Sequence, residues 1–304
     1  LFRSQEADAT HLYDEGHGPH HITYGPDTLF SRRPQLVQDG DTLIPPPDFG
    51  GAAAPDIRLR YISDLGLVFG GGLSTRKYAF RTYPYWYETS LWVEHGTGVR
   101  DTQGAFGVDV YRERSLMHVE VHGAADGMAV TRYYGPGNET TPLTDGTDNR
   151  IEHSQYRFET LLARRMGSGF ISAGPALEYY RTSRDPSLIT ARLKPYGSGD
   201  FGQMGLRAYA GYDSRDNTGA PRRGVRFLAG ASWFPSVWDA TSAYGDVHGE
   251  ASIYLGAPLP LQPVLALRAG GQKVWGTYPF FASAFLGGFT DLRGFDQQRF
   301  AGDA

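Results

Sequence analysis

Four groups of residues have types and spacings that could carry chemistry. His118-x-Glu120-x-His122 places three metal-ligand types at alternate positions, so an extended chain puts all three on one face. His11, His17, His20 and His21 cluster near the start of the chain. Gly137-Asn138-Glu139 carries the first two residues of the Gly-Asn-His motif of metallophosphoesterases, with Glu139 where the histidine would stand. Glu120, Glu159, Glu178 and Glu250 have candidate counter-charges in Arg157, Arg207, Arg226 and Arg268. Other chemistries are excluded by composition. There is no cysteine, hence no thiol nucleophile, disulfide, zinc knuckle or iron–sulfur site. Gly70-Gly71-Gly72 lacks the lysine and spacing of a phosphate loop. No Gly-x-Ser-x-Gly elbow occurs. No two carboxylates stand out as an acid–base couple. The charged residues therefore read as the lining of a polar interior, and no catalytic residue, metal or cofactor is expected.

The elements that would hold these groups are strands. Over 201–212, Gly202, Met204, Leu206, Ala208, Ala210 and Tyr212 oppose Phe201, Gln203, Gly205, Arg207 and Tyr209. The same period of two recurs at 105–111, 116–122, 223–234 and 246–257. About eleven strands are expected, near 62–73, 86–96, 103–112, 115–124, 128–134, 150–165, 168–181, 201–213, 223–234, 244–257 and 263–275. Most run to about ten residues, whereas soluble strands peak at about five or six. A tilted membrane-spanning strand needs about nine to eleven. One face is apolar; the other mixes Arg, Glu, His, Gly and Tyr, which suits a wet lumen. Aromatics near strand ends (Trp86, Tyr87, Tyr133, Tyr134, Tyr179, Tyr212, Trp233, Phe234, Trp275) fit interface girdles.

Bulk properties agree with this reading. The mean hydropathy of −0.40 looks soluble, but an alternating barrel hides its apolar face from such an average. No run of 18 apolar residues offers a transmembrane helix. A formal net charge of −4 with three lysines does not suit a nucleic-acid binder, and 13% aromatics argue against disorder. Residues 1–56, with Pro34, Pro45-Pro46-Pro47 and Gly50-Gly51, read as a periplasmic linker or the tail of an upstream domain. Residues 57–304 read as barrel. If the amino terminus is periplasmic, the long connections 74–85, 135–149, 182–200, 236–243 and 276 onward fall outside. The short ones, 125–127 and 166–167, then fall inside. A short hairpin at 113–114 and a long turn at 214–222 do not fit that pattern. A large soluble barrel or propeller is the competing reading.

Two segments resemble a known family. The carboxy-terminal stretch Phe285-Leu286-Gly287-Gly288-Phe289-Thr290-Asp291-Leu292-Arg293-Gly294-Phe295 resembles a signature of BamA/TamA-like outer-membrane assembly and translocation proteins, the bacterial surface antigens. Asp213-Ser214-Arg215-Asp216-Asn217, followed by Pro221 and Gly224, resembles a periplasmic turn of the same family. Tyr134-Gly135-Pro136-Gly137-Asn138-Glu139-Thr140 looks like a loop of family branches in which the barrel follows a patatin-like or metallophosphoesterase domain.

The resemblance implies an antiparallel transmembrane β-barrel of the bacterial outer membrane, with about eleven strands present of sixteen. Gly287, Gly288, Arg293, Gly294 and Phe295 would form a loop folded into the lumen, where Arg293 meets acidic or aromatic groups of the wall. The turn residues would be structural. Five closing strands and the POTRA repeats lie outside this chain, so a fragment, or a barrel completed by another chain, is expected. The implied function is insertion of outer-membrane proteins or translocation of a polypeptide. The implied partners are outer-membrane lipids, unfolded outer-membrane or secreted clients, and periplasmic or lipoprotein factors. A passive porin-like channel and a membrane anchor for an upstream hydrolase are the alternatives.

Overall fold

The computed structural model of the protein describes residues 10–13, 28–31, 49–62, 65–113, 115–137, 139–140, 149–186, 188–259, 262–288 and 291–304. Eleven strands form one antiparallel sheet in which each strand pairs with its neighbours in sequence. They are β1 (Gly51–Ile62), β2 (Gly66–Lys77), β3 (Tyr87–Gly96), β4 (Asp101–Tyr111), β5 (Met117–Arg132) and β6 (Arg150–Met166). β7 (Gly169–Thr182), β8 (Asp200–Asp213), β9 (Arg223–Phe234), β10 (Tyr244–Gly256) and β11 (Val264–Gly276) complete it. Thr10–Tyr13 and Thr28–Ser31 make a separate parallel pair. The rest of the linker expected over 1–56 lies largely outside the described residues, and the sheet itself starts at Gly51.

Each strand carries its pattern into space. On β5, Met117 and Val119 are exposed while His118 is buried between them. On β8, Met204, Leu206, Ala208 and Tyr212 face out, and Phe201 and Gln203 are buried. The large exposed residues are therefore apolar, and buried positions hold Glu94, His118, Glu178 and Gln203. This is the reverse of a soluble fold, in which unpaired exposed apolar patches are small.

Two departures from the expected strands cancel in the count. β1 was not expected, because Pro55 and a run of alanines weaken the strand signal. Pro55 is tolerated since β1 is an edge strand. Conversely, the expected strands 115–124 and 128–134 are one strand, β5. Asp126-Gly127 reads as a hairpin turn, but here it forms a β-bulge between Asp126 and Ala129 in the pairing with β6. Asp126 Oδ1 accepts the Met128 amide at 2.9 Å and so satisfies the displaced backbone.

The corrected order changes the ends. Connections 78–86, 112–116, 167–168, 214–222 and 257–263 share one end, the turn end. The loop end carries 63–65, 97–100, 133–149, 183–199, 235–243 and the segment after Gly276. The connection expected outside at 74–85 thus lies with the turns, and the hairpin near 113–114 no longer conflicts. Two apolar clusters sit inside the loop end: Tyr133, Ile151, Ile189, Phe280 and Ala301, and Phe234, Tyr244, Val274 and Ala284. Tyr133 and Phe234 are consequently core residues and not girdle residues, whereas Trp86, Tyr212, Trp233 and Trp275 are exposed at strand ends.

Candidate functional site

The inner wall carries polar networks, the longest of which crosses from β4 to β10. Tyr85 Oη donates to Asp109 at 3.3 Å, and Asp109 lies 3.7 Å from His122 Nε2. His122 Nδ1 is 3.4 Å from Glu159, which accepts the Tyr209 hydroxyl at 3.1 Å. Arg207 bridges the next step, 3.9 Å from Glu159 and in direct contact with Glu178. Glu178 also accepts from Gln203 Nε2 at 2.6 Å and Tyr180 Oη at 3.2 Å, and the Tyr244 hydroxyl donates to Gln203 Oε1 at 2.6 Å. Further along, Arg268 meets Glu250 at 2.6 Å, and Arg226 lies 3.7 Å from the same carboxylate. Near the opposite edge, Arg60 and Gln103 both donate to buried Glu94 at 2.7 Å. Apart from Tyr85, which reaches in from the connection before β3, and the Tyr180–Glu178 contact within β7, the links join inward positions of nearby strands, so the pleat aligns them. Glu178 is 2% exposed at its side chain, and a carboxylate so buried is tolerable only with such partners.

The expected pairing of Glu159, Glu178 and Glu250 with Arg207, Arg226 and Arg268 is present. His118 and Glu120 are linked at 2.8 Å, but His122 turns instead to Asp109 and Glu159. Among the described residues, no group of three His, Asp or Glu has metal-holding geometry. His11 lies in a described strand; His17, His20 and His21 lie outside the described residues. Glu94, Gln203 and Tyr244 escaped sequence reasoning, although their inward parity on alternating strands marks them.

The segment after β11 folds back into the concave side of the sheet. β12 (Ala284–Leu286) pairs antiparallel with β13 (Phe300–Gly302) and forms a neck. Phe281 stacks on Tyr180 with ring centroids 3.8 Å apart, and Phe280 packs on Tyr133. Asp291 lies 3.9 Å from Arg268, eight residues, or roughly 26 Å of strand, from the loop end at Gly276. Gly287 has φ of +127°, and a Cβ there would lie 2.4 Å from the Asp296 carbonyl oxygen, so only glycine fits. Gly288 forms a bridge with Leu292 and leads into the tip. Arg293 and Gly294 are exposed, and half-exposed Phe295 contacts the Phe300 ring at 5.2 Å. Phe289 and Thr290 lie outside the described residues.

The turn between β8 and β9 consumes its own polar groups. Arg215 donates to Asp213 through Nε at 2.9 Å and Nη2 at 2.6 Å. Asp216 Oδ1 accepts the amides of Arg222 at 2.9 Å and Arg223 at 3.2 Å. Asn217 Oδ1 accepts those of Gly219 and Ala220. Gly224, at φ +111°, passes so close to Ser214 that a Cβ would lie 2.3 Å from its carbonyl oxygen. Pro221 lies in the same turn, three residues before Gly224. The two amide bonds hold the Asp216 carboxyl below the usual carboxylate range.

No family model matches the chain, and no curated protein matches it in sequence. Among solved structures, the crystal structure of BamA from Haemophilus ducreyi lacking POTRA domains 1–3 matches with a TM-score of 0.57 over 81% of this chain. The fold is that of the BamA barrel. Sequence identity is 14%, so the kinship is one of architecture, and the chain spans 46% of that BamA chain. The long strands, consecutive antiparallel order and polar concave face are thus those of a BamA-like wall.

Two outcomes test this geometry. Arg207→Ala should destabilise the folded sheet by about 3–5 kcal/mol, because Glu178 is left buried and uncompensated. Arg207→Met with Glu178→Gln should cost less than the sum of the single changes, as measured by denaturant unfolding; strict additivity would show the pair uncoupled. Asp216 has a depressed folded pKa, so its contribution is complete above the unfolded carboxylate pKa and is lost as pH falls through the folded value. Protection of the Arg222 and Arg223 amides, corrected for intrinsic exchange, should fall on acidification, while Asp216→Asn should show no such titration.

Proposed function

We propose that the chain is the barrel wall of a bacterial outer-membrane protein that inserts other outer-membrane proteins or passes a polypeptide across that membrane. The observation that carries the proposal is the segment after β11, which runs deep along the concave wall and would occlude the lumen of a closed barrel. A barrel built for passive permeation needs an open water path through that space. Membrane residence is supported by the outward face. Every strand exposes large apolar residues, from Leu59 on β1 and Phe106 on β4 to Leu206 on β8 and Leu267 on β11.

The mechanism follows from edge chemistry. β1 is an edge of the sheet among the described residues, and in a closed barrel it would meet the last strand at a weakly paired seam; an edge presents a row of amides and carbonyls. An unfolded client strand pairs with such a row by β-augmentation. Arg293, at the tip of the inward loop, would brace the wall. This reading requires neither a catalytic residue nor a cofactor. Lipids, unfolded or secreted clients and periplasmic or lipoprotein factors are the partners this reading requires.

The Gly135–Thr140 loop favours a second reading, in which the barrel anchors or exports a patatin-like or metallophosphoesterase domain. The test is reconstitution of the whole protein in lipid vesicles. Folding of a client barrel should be faster than in empty vesicles, and slower again with Arg293→Glu. No acceleration by the wild type contradicts the assembly reading. Unchanged client folding and heat-resistant mobility in Arg293→Glu contradict the brace. Hydrolase activity copurifying with an inert barrel would favour the anchor.

A further inference from the structure

We propose that the loop after β5 is a clasp that holds the lumen loop shut, so that occlusion is set from the loop end and not by the wall alone. The inference rests on reading the chain as a barrel wall and adds a function for the Gly135–Thr140 segment.

The lumen loop has two limbs with different anchors. The outgoing limb is held by apolar packing of Phe280 and Phe281. The returning limb, 296–301, pairs with the outgoing limb at Phe285 and Leu286 and is tied to the rest of the chain by hydrogen bonds from residues 132–140. The Arg132 amide donates to Gln298 Oε1 at 2.8 Å, and the Tyr134 hydroxyl donates to Asp296 at 3.2 Å. Gly135 and Gly137, at φ +97° and +99°, bend the backbone through a conformation that other residues resist. That bend lets the Gly137 amide donate to the Ala301 carbonyl at 2.7 Å. Arg299 completes the clasp. Nη1 donates to Thr140 Oγ1 at 3.0 Å, Nη2 donates to the Thr140 carbonyl, and the guanidinium lies 4.9 Å from the Tyr134 ring and 5.3 Å from that of Phe300. A charged, bidentate and ring-stacked contact is the kind that fixes geometry. The exposed tip at Arg293–Phe295 is strung between these two anchors.

The experiment uses the absence of native cysteine. Thr140→Cys with Arg299→Cys should be joined by a short bifunctional maleimide that replaces the span of the Arg299 side chain. Amide exchange of residues 287–299, measured in detergent, should be slowed by the cross-link and raised at least about tenfold by Arg299→Ala, with heat-resistant mobility retained in both. In planar bilayers Arg299→Ala should raise the open probability, and the cross-linked pair should suppress it. Arg299→Lys, which keeps charge but loses the fork, should fall between. Exchange unchanged by Arg299→Ala in a folded protein, or unchanged by the cross-link, overturns the clasp. Faster exchange with unchanged conductance overturns its control of occlusion. Client insertion is read separately, so loss of the assembly reading leaves these results decisive.

Discussion

Register is the constraint on which the rest of this structure depends. A slip of one residue along any strand would exchange its two faces, sending Glu178 or Arg207 outward and Leu206 or Leu177 into the polar wall. The inner network penalises such a slip heavily, because each buried carboxylate needs its donors at inward positions of the neighbouring strands. The charged residues thus do more than line a wet surface. They lock the pairing that turns eleven alternating segments into one wall.

That lock also explains what the alternation reveals. β4 and β6 to β11 could be placed from their apolar–polar rhythm, since Val108, Leu206 or Ile253 sits two residues from the next outward side chain. Gly51–Ile62 was hidden by small residues and Pro55, which an edge strand accepts and a central one would not. Asp126-Gly127 carries a hairpin's chemistry, but its neighbours on β4 and β6 keep pairing through it, and the local preference yields to the sheet. The turn at 213–224 was readable because its Asp and Asn side chains act on backbone a few residues away. The contacts of Tyr134 with Asp296 and of Thr140 with Arg299 join residues 162 and 159 apart, where no local signal reaches.

Within this frame the lumen loop is the element with the least freedom to be incidental. It contributes Phe280 and Ala301 to one apolar cluster at the loop end and Ala284 to the other. It meets the charged network through Asp291 and Arg268. The glycines that resemble a family signature have a physical reason here, since Gly287 crosses the returning chain too closely for any side chain. The wall thus has the BamA barrel fold, and its inward loop is tied to it at several points.

The central claim is that one face of each strand meets lipid and the other a polar lumen. Single cysteines placed along β8 from Gln203 to Tyr212, in a chain with none of its own, test it most directly. In lipid vesicles, probes at positions 204, 206, 208 and 210 should be quenched by lipid-borne quenchers, and those at 203, 207 and 209 by water-soluble ones. Uniform access to the water-soluble quencher at both sets would contradict the account.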